Sequence, residues 1–155
     1  MQGVIIDLTS SLRGFCMSIN QEANKQFPIA YDHVGIRVAN RATSIAFYER
    51  LGFKETLRIP GGEANEMVTP NGVRINLIFN ASKQPLNKNV LLDEPIKLPG
   101  ITHPAFIVED ITELQQWLKS ENIKVTEGPK QLGPRRVALF IRDPDGNVLE
   151  FNQLI

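Results

Sequence analysis

The sequence predicts an α+β protein built from two tandem modules, each running strand, helix, then three strands (βαβββ). Three observations carry this. Residues 31–38 (YDHVGIRV) read against residues 101–108 (ITHPAFIV) at a constant offset of 70, which places His33 on His103. The register continues through the next element, with Phe47 on Trp117, Phe53 on Ile123 and Lys54 on Lys124. Later, Pro70-Asn71-Gly72 answers Pro144-Asp145-Gly146 at an offset of 74, and four residues past each glycine stand Asn76 and Glu150. Self-similarity at a nearly fixed spacing marks a duplicated unit.

Taken in order, residues 1–29 match nothing in the repeat and read as an N-terminal extension, with one short helix expected around residues 11–19 and Met17 as an alternative start. Residues 30–155 read as a single domain: module one over 30–80, a linker over 81–99, module two over 100–155. Val/Ile content and near-alternation predict a strand over 31–38. Asn40 can cap the following helix, whose stripe of Ile45, Tyr48 and Leu51 stops at Gly52. Strands are expected over 54–59 and 64–69, separated by the turn Pro60-Gly61-Gly62, and over 73–79 after Pro70-Asn71-Gly72. The linker carries Pro85, Pro95 and Pro99.

The second module repeats this order. A strand over 101–108 leads to Asp110-Ile111-Thr112-Glu113, a capping-box-like start with Asp in the capping position. Ile111, Leu114, Trp117 and Leu118 make the buried stripe of the helix. A short strand near 123–126 precedes a loop over 127–134. Strands over 137–142 and 148–154 flank Asp143-Pro144-Asp145-Gly146-Asn147, which suits a tight hairpin.

Composition narrows the function. A length of 155 residues is enough for one domain with a buried core. Seventeen basic and seventeen acidic side chains cancel without charge runs, which argues against nucleic acid or an anionic membrane surface as partner. The single cysteine, Cys16, rules out an intrachain disulfide framework and fits a reducing compartment. No apolar stretch approaches the roughly 20 residues of a membrane helix, and residues 1–7 lack the basic start of a signal peptide. A cytoplasmic protein acting on a small molecule is expected.

The duplicated order, with Asp32-His33-Val34-Gly35-Ile36-Arg37-Val38, Phe47-Tyr48-Glu49-Arg50-Leu51-Gly52-Phe53, and the run from Phe140 to Phe151 (FIRDPDGNVLEF), resembles the vicinal oxygen chelate superfamily. That superfamily holds glyoxalases, bleomycin- and fosfomycin-resistance proteins and extradiol dioxygenases. The likeness covers residues 30–155. It implies that the two modules form a cup-shaped mixed sheet with helices on the outside, that ligands project from the inner face, and that the chain forms a homodimer.

Both histidines of the chain fall at repeat-equivalent positions, and a carboxylate falls at another. Strand alternation would set His33 apart from Val34, Ile36 and Val38, Glu150 apart from Leu149 and Phe151, and Asn76 apart from Ile75 and Leu77. His103, Glu150 and His33 are therefore the expected ligands of one divalent ion (Fe, Mn, Zn, Ni or Co), a facial triad with open positions. Such an ion polarises a carbonyl, stabilises an enediolate or, as iron, binds oxygen. Glu150 is also the expected catalytic base.

Where glyoxalases usually place a glutamate this chain has Asn76, with three roles open to it: a weak fourth ligand, a partner to a metal-bound water, or no contact with the metal. A neutral amide takes no proton, so the resemblance to glyoxalase I is weakened unless Glu63 or Glu66 supplies a second base. Phe140 stands where the dioxygenases have a tyrosine, and Gly133-Pro134-Arg135-Arg136 where they have a histidine. Thr102-His103-Pro104 lacks the double histidine of the acyl-thioester epimerases. Arg74, Arg135 and Arg136 are candidates for anchoring an anionic substrate, with Arg74 favoured because it shares a face with Asn76; Glu66 and Phe140 are further candidates for substrate contact. The expected function is a metal-dependent lyase, isomerase or dioxygenase for a small oxygen-rich molecule. The rival is a metal-free binding protein of the drug-sequestering resistance type.

Overall fold

The computed structural model describes residues 29–82 and 88–155. The expected helix around residues 11–19 and the possible start at Met17 lie outside the described residues. Asp32–Ile155 forms one compact unit. Its elements follow the doubled βαβββ order: β1 Val34–Arg37, α1 Arg41–Arg50, β2 Lys54–Arg58, β3 Ala64–Val68 and β4 Arg74–Ile78, then β5 Ala105–Ile107, α2 Ile111–Ser120, β6 Val125–Gln131, β7 Arg136–Arg142 and β8 Val148–Leu154. The strands make two four-stranded mixed sheets of identical topology, β1-β4-β3-β2 and β5-β8-β7-β6. In each, the first strand runs parallel to the last and the remaining pairs are antiparallel.

Both helices begin where the sequence places a cap. The Asn40 side chain accepts from the Thr43 N–H at 3.0 Å, and Asp110 accepts from Thr112 and Glu113 N–H at 2.6 and 3.0 Å. The face α1 buries is turned slightly from expectation: Ser44, Phe47 and Tyr48 are buried, while Ile45 and Leu51 pack only partly. The second module departs at β6, which extends to Gln131 through residues expected to be loop. Register shifts between Val125 and Glu127 and between Glu127 and Lys130 let the strand absorb Gly128-Pro129. Gly128 has φ +83°, and a Cβ there would meet the Ala138 carbonyl oxygen at 2.5 Å.

Strands β1 and β5 are shorter than expected. Both histidines fall just before them, His33 by one residue and His103 by two, and Pro104 lacks the N–H that would carry β5 further back.

One hydrophobic cluster draws on both modules: Ile36, Val38, Met67, Ile75 and Leu77 from the first sheet, Leu139, Ile141, Leu149 and Phe151 from the second, with Tyr48 and Leu118 from the helices. Phe53 meets Phe106 edge-on across the modules. The Asp143–Asn147 turn binds them further. Asp145 accepts from the Ala39 N–H (3.1 Å) and Ser44 hydroxyl (3.3 Å), and Asn147 donates to the Arg37 carbonyl (3.0 Å). Buried Asp143 accepts from the Tyr48 hydroxyl (3.1 Å), the Asn147 amide (2.8 Å) and two backbone N–H groups of its own turn.

Burial pushes the Asp143 carboxyl above its ordinary pKa, and its hydrogen bonds offset only part of that. Because the folded value exceeds the unfolded one, its contribution to stability is full below about pH 4 and declines as pH rises through the elevated folded value. Asp143→Ala is expected to cost about 2–3 kcal/mol by leaving the Tyr48 hydroxyl unpaired. Urea unfolding at several pH values checks both points: the stability of the native protein relative to Asp143→Asn should fall as pH rises from 4.

Candidate functional site

Strand β8 lies between β5 and β7 and is buried on both faces from Val148 to Asn152. Glu150 is thereby carried inside, opposite Ala105 and Phe140, on the face away from Leu149 and Phe151. A buried carboxylate needs a polar partner, and His103 supplies it: Nε2 lies 2.7 Å from Glu150 Oε2, with the Glu150 side chain 10% and the His103 side chain 28% exposed. The other ring nitrogen, Nδ1, is 3.0 Å from Thr102 Oγ1. Phe140 stands edge-on to the imidazole, ring centres 5.7 Å apart at 89°. The Lys130 ammonium sits 5.5 Å over the Phe140 ring. Asn152, two residues on from Glu150 and on the same face, has a buried side-chain oxygen without a hydrogen-bond partner.

The first sheet presents a matching but different face. Asn76 on β4 lies between Gly35 and Glu66, and its side-chain oxygen is also buried and unpartnered. Two residues earlier, Arg74 reaches Asp32 Oδ1 (2.7 Å) and approaches Glu66 Oε2 (3.3 Å). Thr56 donates to the other Glu66 oxygen at 2.9 Å. Asp32 Oδ2 lies 2.6 Å from His33 Nδ1. The hydrogen bond with His33, and then the charge of Arg74, hold the Asp32 carboxyl below its ordinary pKa.

The three expected ligands are thus divided. His103 and Glu150 come together on the second sheet, whereas His33 stands beside the first with Asp32. Among the described residues no three His, Cys, Asp or Glu side chains gather into a group able to hold a metal ion. The shared core takes the Ile75/Leu77 face of one sheet and the Leu149/Phe151 face of the other. The faces bearing Asn76 and Glu150 are those turned from it.

Of the remaining candidates, Arg74 joins Asn76, as alternation predicts, while strand pairing, which alternation leaves open, sets Glu66 beside Asn76 and Phe140 beside Glu150. Arg74 lies between two carboxylates, a setting that suits orienting them better than holding a free anion. Arg136 is exposed at the start of β7 opposite Leu154, and Glu63 and Arg135 lie outside the strands. Sequence reasoning missed Asp32, Thr102 and Lys130. The first two occupy the same repeat position, directly before each histidine. Lys130 was hidden by the bulged course of β6.

A surface cleft of about 500 Å³, lined by residues including Lys88, Asp93, Lys124, Arg142 and Asp143, shares no lining residue with the His103–Glu150 face. Its Arg142 is bound by both Asp93 oxygens at 2.6 Å. That contact holds the Asp93 pKa down to about 2 and ties the linker to β7. No helix among the described residues is long and apolar enough to cross a membrane.

Comparison with known proteins agrees with this architecture. The family model for the Glyoxalase/Bleomycin resistance protein/Dioxygenase superfamily matches residues 30–151. A virulence protein of Salmonella typhimurium is 31% identical over 132 residues, 80% of this chain and 83% of that one. The crystal structure of a glyoxylase/bleomycin resistance protein/dioxygenase domain from Frankia superposes with a TM-score of 0.63 at 26% identity, covering 83% of this chain and 94% of that one. A glyoxalase/dioxygenase from Nostoc punctiforme, 17% identical, matches the fold with a TM-score of 0.64 over 100% of this chain and 99% of its own.

Proposed function

The chain belongs to the Glyoxalase/Bleomycin resistance protein/Dioxygenase superfamily, and from that premise we propose that it is a metal-dependent enzyme acting on a small oxygen-rich molecule, with each site completed between two copies of the chain. The observation that carries this reading is the His103 Nε2–Glu150 Oε2 pair at 2.7 Å on a largely buried face. Imidazole nitrogen and carboxylate oxygen are the donor types first-row divalent ions take. The unpartnered Asn152 oxygen beside them adds a neutral acceptor.

Two donors in one chain make half a site. The remaining histidine of the chain, His33, belongs to the other module, and its Nε2 makes no hydrogen bond among the described residues. A second copy, presenting its first-sheet face to the second-sheet face of its mate, supplies the third donor and brings Asn76 with it. Two-fold symmetry then makes two equivalent sites from four half-sites.

Once bound, the ion supplies Lewis-acid polarisation of a substrate carbonyl or hydroxyl oxygen. The chain's own residues do the rest. Glu150 accepts a proton from the substrate carbon beside that oxygen and returns it. Asn76, at the repeat-equivalent position, has no basic oxygen, so both transfers fall on one carboxylate and one side of the substrate. Phe140 closes the apolar wall behind His103, with Lys130, ion-paired to Glu127, over its ring.

Chelator-stripped protein titrated with Mn²⁺ or Zn²⁺ tests the reading. One ion per chain is expected, and His103→Ala and Glu150→Gln should each weaken binding by more than about 100-fold, since changes to outer-shell residues alone cost about 10–100-fold. Stoichiometric binding that survives both substitutions would sink the proposal.

A further inference from the structure

The residue immediately before each histidine carries a side-chain oxygen, and in both modules that oxygen meets the imidazole Nδ1. Asp32 Oδ2 stands 2.6 Å from His33 Nδ1, and Thr102 Oγ1 stands 3.0 Å from His103 Nδ1. Asp32 and Thr102 are themselves repeat equivalents at the offset of 70. The chemistry at this shared position differs. A carboxylate only accepts hydrogen bonds, whereas a hydroxyl donates or accepts by rotating.

We infer that Asp32 and Thr102 are positioning residues that set opposite tautomers on the two histidines: His33 carries its proton on Nδ1 and presents a bare Nε2, while His103 carries its proton on Nε2. This deepens the proposed function, because His33 is then preset as a ligand and His103 is not.

For His33 the acceptor-only Asp32 leaves one choice. Nδ1–H donates to Oδ2, and the Nε2 lone pair remains outward. The arrangement is anchored to the sheet, since Arg74 on β4 holds Asp32 Oδ1 at 2.7 Å and lies 3.3 Å from Glu66. Such anchoring is needed here: His33 precedes β1, so no strand pairing orients its backbone, and its side chain is 37% exposed. For His103 the neighbour of Nε2 is Glu150 Oε2 at 2.7 Å, an acceptor, so that nitrogen bears the proton. Nδ1 then accepts from the Thr102 hydroxyl.

Were His103 to hold an ion through Nε2, its proton would leave Nε2 and a proton would arrive, through solvent, on Nδ1. Net charge is unchanged, and the hydroxyl turns from donor to acceptor. A carboxylate at position 102 could not serve the first state, nor an alkyl group either one.

With only two histidines in the full chain, imidazole ¹⁵N–¹H long-range correlation spectra resolve both rings. They are recorded on metal-free protein at about pH 8.5, where an ordinary imidazole is neutral. One Nδ1–H and one Nε2–H spin system are expected, and His33→Ala should remove the Nδ1–H one. Asp32→Ala should convert His33 to a solution-like tautomer mixture and leave His103 unchanged. It should also weaken Zn²⁺ binding by about 10–100-fold, the usual effect of removing a partner that orients a ligand. Asp32 is largely exposed, and circular dichroism confirms that the variant is folded. An Nε2–H tautomer on His33, an Nδ1–H tautomer on metal-free His103, or spectra indifferent to Asp32→Ala would overturn the inference. If Zn²⁺ fails to bind while both tautomers are as described, the proposed metal function falls and the tautomer assignment stands.

Discussion

Mixing His33→Ala protein with Glu150→Ala protein is expected to restore divalent-ion binding that neither variant shows alone. In the arrangement proposed here each site takes His33 from one chain and the His103–Glu150 pair from the other. A homodimer of either variant therefore has a lesion in both sites. A heterodimer concentrates both lesions in one site and leaves the other intact. Random exchange makes about half of the dimers mixed, so about a quarter of full binding returns. Sites closed within one chain could not complement, because every site would keep its own lesion. The measurement is metal content after exchange by mild denaturation and refolding, with exchange verified by a tagged partner. No recovery after verified exchange, or a chain that sediments as a monomer when loaded with metal, excludes the intersubunit site.

Leu149→Ala is expected to be the most damaging simple core truncation beside the site. Leu149 is fully buried on β8, pairs with Ile141 on β7 and belongs to the cluster that joins both modules. Deleting its side chain removes apolar burial and opens a cavity that flanking strands cannot collapse into without breaking their ladders. The expected loss is about 2–5 kcal/mol, which for a domain of this size lowers Tm by roughly 2–4 °C per kcal/mol. Calorimetry or thermal circular dichroism measures it. A change below about 1 kcal/mol would mean that the site collapses freely, contrary to what the full burial of Leu149 within the cluster implies. Because Leu149 faces away from Glu150, the folded variant should keep its metal stoichiometry, which separates the loss of core from the loss of site.

Much of the fold was legible because duplication supplies each element twice. The caps Asn40 and Asp110 mark both helix starts, and the turn from Pro144 to Asn147 delimits β7 and β8. What was not legible lies where backbone geometry overrides local pattern. β6 runs through Gly128-Pro129 because two register shifts let β7 pair with it anyway, and no periodicity in the residues announces a bulge. The sequence places His33 in a strand by the alternation around it and His103 by its repeat equivalence, its own strand being apolar on both faces, yet each histidine precedes its strand.

The sequence by itself determined the family, the two-module order, and the repeat-equivalent positions of His33, His103, Asn76 and Glu150, since these depend on local periodicity and on counting along the chain. Only the tertiary structure decided which of those residues meet. Burial of Glu150 on a strand covered on both faces draws His103 to it, while the apolar cluster takes the Ile75/Leu77 and Leu149/Phe151 faces and His33 pairs with Asp32 instead. No linear pattern specifies which side chains of two modules will meet once their apolar faces are buried in one cluster.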